Sequence, residues 1–138
     1  MDRSLLPGKE GIWMEPVSLI LYPPCSTCRK AKAWLLDQGV AFHERHITEQ
    51  RPTAEELRLW SREAGIPLKR YFNTSGLLYR SMNLSQRLPG LDEEEQLALL
   101  SSDGMLVRRP LLLVGNRALP GFRPDEWIAF LREPATSK

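Results

Sequence analysis

Little in this sequence offers a covalent or metal-built scaffold. Its 138 residues include two cysteines and two histidines. Cys25 and Cys28 are three positions apart, and a disulfide between them would close a loop too short to staple a fold. That excludes the cysteine framework of a small secreted domain. A zinc site needs four ligands, and there is a single C-x-x-C. His43 and His46 fall on a predicted strand, where odd and even positions face opposite ways, so they do not converge on a shared ion and no metal is expected. Long apolar runs are also missing. Val17 to Tyr22 and Leu111 to Val114 are the longest, far short of the roughly 20 residues that span a bilayer. No apolar segment in Met1 to Trp13 resembles a signal peptide, so residues 1–14 are expected to be a loose tail, with Met14 a second candidate start. A formal charge of +2 is too small to argue for nucleic acid or membrane as a partner. Repeats and low-complexity tracts are absent.

What is present is the balance of a soluble globular domain, 42% hydrophobic and 26% charged. The expectation is one domain over residues 15–134, in the cytoplasm. Val17 to Tyr22 reads as a buried strand bounded by prolines. Cys25 to Gln38 reads as a helix, with Ala31, Trp34, Leu35 and Gln38 at helical spacing and Gly39 as its stop. Ala41 to Ile47 alternates as a second strand, which makes a right-handed βαβ unit. Thr53 with Glu56, and Asp92 with Glu95, mark two helix starts. Between those helices, Ile66 to Leu91 reads as short helices and loops. Leu111 to Val114 is a third strand. Gly115-Asn116 signals a turn, so Ala118-Leu119 forms a return strand. Pro124 opens a last helix with Trp127, Phe130 and Leu131 on its inner side. Trp60, Tyr71 and Phe72 read as core. The outline is α/β with a small mixed sheet and a helical insert.

Cys25 sits where a strand gives way to a helix. The unpaired N–H groups of Ser26, Thr27 and Cys28 are then expected to point toward its sulfur, lowering a thiol pKa that is ordinarily about 8.5. The same N–H groups suit an oxyanion. Arg29 and Lys30 place positive charge in the first turn, an unfavourable position that functional sites tolerate. Cys28, about one helical turn on, is within reach of Cys25 and can resolve a mixed disulfide or a sulfenic acid. The competing reading is that both cysteines are simply small core residues. The strand-to-helix position and the flanking arginine favour the chemistry.

Four stretches resemble the arsenate reductase (ArsC-like) family, which includes the Spx-type redox regulators: Tyr22-Pro-Pro-Cys-Ser-Thr-Cys-Arg-Lys30, Tyr71-Phe-Asn-Thr-Ser-Gly-Leu-Leu-Tyr-Arg80, Arg108-Arg-Pro-Leu-Leu-Leu-Val-Gly115 and Gly121-Phe-Arg-Pro124. The resemblance spans about Val17 to Leu131. It implies a thioredoxin-like fold with a helical insert and Cys25 as the nucleophile. It implies that Pro110 is a cis-proline beside the thiol, and that Arg109 and Arg123 line an oxyanion site. Two guanidinium groups near a thiolate would lower its pKa and hold a tetrahedral anion. Arg108 has no role assigned by the resemblance and reads equally well as a solvated charge.

Two departures stand out. The glutathione-dependent reductases carry a third arginine where this chain has Asn73, and a small hydroxyl residue where it has Cys28. Arsenate itself is therefore in doubt as substrate, and the C-x-x-C is similar to that of the redox-switch regulators. The leading expectation is a thiol-dependent oxidoreductase acting on a disulfide, peroxide or oxyanion. Cys25, Cys28 and Arg109 carry the chemistry, and Ser26, Thr27, Arg29, Pro110 and Arg123 the substrate side. No metal or organic cofactor is expected, and glutathione or another thiol is the expected reductant. The rival expectation is a redox-sensing regulator that contacts RNA polymerase rather than DNA. A third is a scaffold that keeps the fold without the activity.

Overall fold

A computed structural model describes residues 15–132, and the statements below concern those residues. The expected N-terminal tail lies outside them. In chain order the elements are β1 (Val17–Leu21), α1 (Ser26–Asp37), β2 (His43–His46), α2 (Ala54–Ala64), α3 (Leu77–Ser81), α4 (Leu84–Arg87), α5 (Glu93–Ser102), β3 (Leu111–Val114), β4 (Arg117–Pro120) and α6 (Pro124–Arg132). The strands form a mixed sheet in the order β2-β1-β3-β4. β1 and β2 are parallel, joined through α1, whereas β3 runs antiparallel to both β1 and β4. This is the thioredoxin-like arrangement, with α2 to α5 as the insert between the βαβ and ββα halves.

Period-two alternation divides the core between the two faces of the sheet. Leu19 and Leu21 of β1, with Leu112 and Val114 of β3, pack beneath α1 and α6 against Ala31, Leu35, Trp127 and Phe130. Ile20 and Leu111 face the other way, into a cluster with Leu57, Trp60, Tyr71, Phe72, Leu97 and Leu100 of the insert. Trp60, Tyr71 and Phe72 are buried, as their apolar neighbours suggested. The Tyr71 hydroxyl donates to the Ala118 carbonyl at 2.5 Å, which ties the insert to β4.

Both helix starts inferred from sequence are complete capping boxes. Thr53 and Asp92 each accept the N–H three residues on, and Glu56 and Glu95 accept the cap residue's own N–H. Gly39 and Gly65 end their helices at φ +75° and +70°, values that glycine adopts without a Cβ penalty. The second strand is shorter than its alternation suggested. Pairing begins at Ser18 opposite His43, leaving Ala41 and Phe42 outside, and the ladder ends with the Ile47 N–H on the Leu21 carbonyl. His43-Glu-Arg-His46 forms the edge of the sheet, and such charge is a common guard on an open edge.

The insert closes onto the main sheet just ahead of β3. Phe72 and Val107 form an antiparallel bridge, the Arg108 N–H donates to the Tyr71 carbonyl, and the Asn73 N–H donates to the Leu106 carbonyl. That short ladder sets the course of the chain into Arg109 and Pro110. The start of β3 and the ends of β1 and β4 therefore share one end of the sheet, where α1 begins.

Candidate active site

Pro23 and Pro24 terminate β1, and the chain turns at once into α1 with Cys25 as the N-cap residue (φ −78°, ψ 124°). The Cys25 N–H donates to the Tyr22 carbonyl at 2.9 Å, closing the turn. The Cys25 sulfur takes the place usually held by a Ser, Thr, Asp or Asn oxygen, accepting the Cys28 backbone N–H at 3.3 Å. The helix that begins here is twelve residues long, and no acidic residue stands in its first turn. The positive end of the helix thus faces a polarizable sulfur with no competing carboxylate.

The two thiols occupy different surroundings. Cys25 is half-buried, and both are free cysteines. Cys28 is 1% exposed and packs among Leu21, Ala31 and Leu35, with its sulfur accepting the Tyr22 N–H at 3.4 Å. Burial is the largest influence on Cys28 and pushes its thiol up to about 12, with the adjacent Cys25 adding to the rise. Partial burial also pushes Cys25 up, but it is outweighed. A hydrogen bond from the Cys28 thiol, the backbone N–H groups of Cys28 and Thr27, and the charge of Arg109 together hold Cys25 below the ordinary thiol value. The helix therefore carries one thiol that favours the thiolate and one that stays protonated.

Arg109 supplies the cation. Its guanidinium lies over the Tyr22 ring, 4.8 Å from the centroid. Its Nη1 is buried with no hydrogen-bond partner among the described residues. The Arg109–Pro110 peptide is cis, and Pro110 is buried, its carbonyl accepting the Gly121 N–H at 2.9 Å. A guanidinium N–H without an acceptor, beside a thiolate at a helix N-terminus, suits an anion placed between them.

The other residues singled out from sequence are distributed around this centre. Ser26 and Thr27 form the exposed first turn of α1, and the Thr27 main chain is the part that faces the Cys25 sulfur. Arg29 is exposed. Its Nη1 donates to the Pro23 carbonyl at 3.1 Å, and it borders a cavity of about 300 Å³ on the Cys28 side, with Leu21, Lys32, Glu44 and His46. Arg123 is on the exposed surface, 3.9 Å from Glu126. Its charge bears on Arg108. Asn73, where the resemblance implies an arginine, has its Nδ2 3.5 Å from the Met105 carbonyl. No group of three or more His, Cys, Asp or Glu among the described residues is placed to hold a metal ion. One contributor escaped the sequence reading: Tyr22, which touches Cys25, Cys28 and Arg109; Arg108 is half-buried, with Nε donating to the Arg70 carbonyl. Tyr22 offered one signal, its position as the last residue before the Pro-Pro-Cys turn.

Residues 21–130 match the family model described as "ArsC family". The chain belongs to the ArsC family. Among relatives of this ArsC-family chain, it is 49% identical to the uncharacterized protein YusI of Bacillus subtilis over 106 residues, covering 77% of this chain and 90% of that protein. It is 29% identical to the global transcriptional regulator Spx of Staphylococcus haemolyticus over 115 residues, covering 83% of this chain and 86% of Spx. Among solved structures, a putative ArsC family related protein from Bacteroides fragilis superposes with a TM-score of 0.78 at 46% identity, covering 81% of this chain and 94% of the other. The matched span contains the C-x-x-C, the insert and the Arg109–Pro110 step.

Proposed function

We propose that this ArsC-family chain is a thiol-disulfide redox protein in which Cys25 is the nucleophile and Cys28 the resolving thiol. The observation that carries this reading is the asymmetry of the two sulfurs. One accepts a helix N-terminal N–H beside an arginine and is lowered, whereas the other is buried and raised. The Cys25 thiolate attacks a sulfur of the substrate disulfide, forming a new S–S bond and releasing the other sulfur as a thiolate. Cys28 then gives up its proton to solvent or to the departing group and attacks the Cys25 sulfur. The mixed disulfide breaks, the second substrate thiol leaves, and a Cys25–Cys28 disulfide remains. Two electrons have passed to the substrate, and glutathione or another external thiol restores them. Arg109 stabilises negative charge on Cys25 and on an anionic substrate or leaving group. Asn73 and Cys28 both weigh against arsenate as the natural substrate. Such chemistry fits a reducing compartment such as the cytoplasm, and no helix among the described residues is long and apolar enough to cross a membrane.

The test is the pH dependence of Cys25 alkylation in wild type, Cys28→Ser and Arg109→Ala. An inflection below the ordinary thiol value in wild type, rising in Arg109→Ala, supports an activated nucleophile. An unshifted inflection that ignores Arg109 refutes the reading and leaves a scaffold. A second reading, a redox-sensing regulator that contacts RNA polymerase, is favoured by the similarity to Spx over most of both chains. It uses the same disulfide, and it separates from the enzyme by polymerase capture without turnover of a small disulfide.

A further inference from the structure

The candidate site is assembled from two parts of the chain. Cys25 and Cys28 come with α1, whereas Arg109 and Pro110 lead into β3. Trp127 of α6 is fully buried and meets both sides. Its ring stands edge-on to Trp34 of α1, with centroids 6.1 Å apart and planes at 81°. Another aromatic side chain would fill much of that space. The indole N–H is not replaced so simply. It is a donor only, and it donates to the Gly121 carbonyl at 2.7 Å.

The need for that donor follows from the sheet. β3 and β4 pair antiparallel with Leu111 opposite Pro120, and the same register sets Pro110 opposite Gly121. A hydrogen-bonded antiparallel pair exchanges two N–H···O bonds. The Gly121 N–H donates to the Pro110 carbonyl at 2.9 Å, but a proline has no N–H to return. The Gly121 carbonyl is left over, and the Trp127 indole meets it. We propose that Trp127 is a positioning residue: its indole N–H stands in for the bond that Pro110 cannot make, and so anchors the strand end from which Arg109 reaches over the Tyr22 ring. Arg109 is the next residue along from that pair, so a loosened Gly121 lets its guanidinium drift off the ring. That this drift matters to Cys25 rests on the function proposed above. The placement of Arg109 does not.

The test compares wild type with Trp127→Phe, which keeps an aromatic ring and deletes the donor. Thr53→Ala, which opens the cap of α2, controls for general loss of stability. The first readout is the NMR resonance of the Arg109 Nε–H, assigned by its loss in Arg109→Ala, which senses the ring current of Tyr22. The second is the pH inflection of Cys25 alkylation. In Trp127→Phe the Arg109 resonance should move toward that of an exposed arginine, and the inflection should rise by about half or more of the rise in Arg109→Ala. In Arg109→Ala/Trp127→Phe the inflection should match Arg109→Ala alone, because both changes act through one guanidinium. Thr53→Ala should move neither readout. An unmoved resonance, an unmoved inflection where Arg109→Ala raises it, an equal response in Thr53→Ala, or a further rise in the double variant each overturns the proposal. If Trp127→Phe does not fold, benzothienylalanine at position 127, with sulfur in place of the N–H in a ring of the same size, serves the same comparison. A resonance that moves in Trp127→Phe while Arg109→Ala leaves the inflection unchanged keeps the placement of Arg109 and refutes the thiol chemistry. An unmoved resonance beside an inflection that Arg109→Ala raises does the reverse.

Discussion

The protonated state of Cys28 has a measurable consequence for stability at alkaline pH. A thiol held neutral by burial, with its pKa raised from 9.0 to about 12, resists ionisation when folded and ionises readily when unfolded. Between those values the unfolded chain binds fewer protons than the folded one, so stability falls as pH rises from 9 toward 12. At pH 10.5 the penalty from this one group is roughly 2 kcal/mol, with little effect at pH 7.5. Cys25 works in the opposite direction. Its folded pKa is lowered, so its contribution is present above the unfolded value and is lost as pH falls through the folded one. It must therefore be removed from the comparison. Urea unfolding of Cys25→Ser and of the double variant Cys25→Ser/Cys28→Ser, at pH 7.5 and pH 10.5, isolates Cys28, since serine does not titrate in this range. Burial, the largest cause of the rise, persists without Cys25, so the expected outcome is that the single variant loses more stability than the double variant between the two pH values, by up to about 2 kcal/mol. Tyr71 ionisation is common to both chains and cancels. A gap that stays constant within about 0.5 kcal/mol would mean Cys28 is not held neutral, and the division of labour between the two thiols would fall with it.

Other expectations follow from particular contacts. Tyr71→Phe removes the donor to the Ala118 carbonyl and leaves that buried acceptor unpaired, at a cost of about 1–3 kcal/mol in chemical denaturation. Thr53→Ala opens one capping box and should cost about 1 kcal/mol, readable as an earlier thermal midpoint with the Cys25 alkylation rate unchanged. Glu56 is held below its ordinary carboxylate value chiefly by its hydrogen bonds from Arg45, so its contribution is present above that value and is lost as acid protonates it. Glu56→Gln should flatten the stability profile below pH 5. Asn73→Arg introduces the cation that the resemblance implies at this position, and sulfate should then protect Cys25 from alkylation at lower concentration than in wild type. Equal protection would place residue 73 outside the anion's reach.

Much of the fold was legible because its local rules agree. The capping residues of α2 and α5, the stop at Gly39 and the Leu111–Val114 run are short-range signals, and tertiary packing did not override them. The insert resisted detail because α3 and α4 are five and four residues long, too short for helical periodicity to show. At the site, the capping position of Cys25 could be read from the Pro-Pro-Cys turn. The directions of the arginines could not. Arg29 stands beside the thiol in sequence yet donates to Pro23, while Arg109, 84 positions after Cys25, provides the charge that reaches it. A side chain's aim depends on what the rest of the chain brings near it, and the Phe72–Val107 bridge lies two residues ahead of Arg109.

Tyr22 meets each part of the candidate site through a different group. Its carbonyl accepts the Cys25 N–H, its N–H donates to the Cys28 sulfur, and its ring lies beneath Arg109. A single residue is thereby tied to the oxidation state. When the Cys28 sulfur bonds to Cys25 in the proposed cycle, it is drawn off the Tyr22 N–H, and that amide proton loses its acceptor while the ring and carbonyl keep their partners. The Tyr22 amide is thus a built-in spectroscopic gauge: its chemical shift and exchange rate should follow the electron pair through the cycle, one strand-end away from the sulfur that does the chemistry.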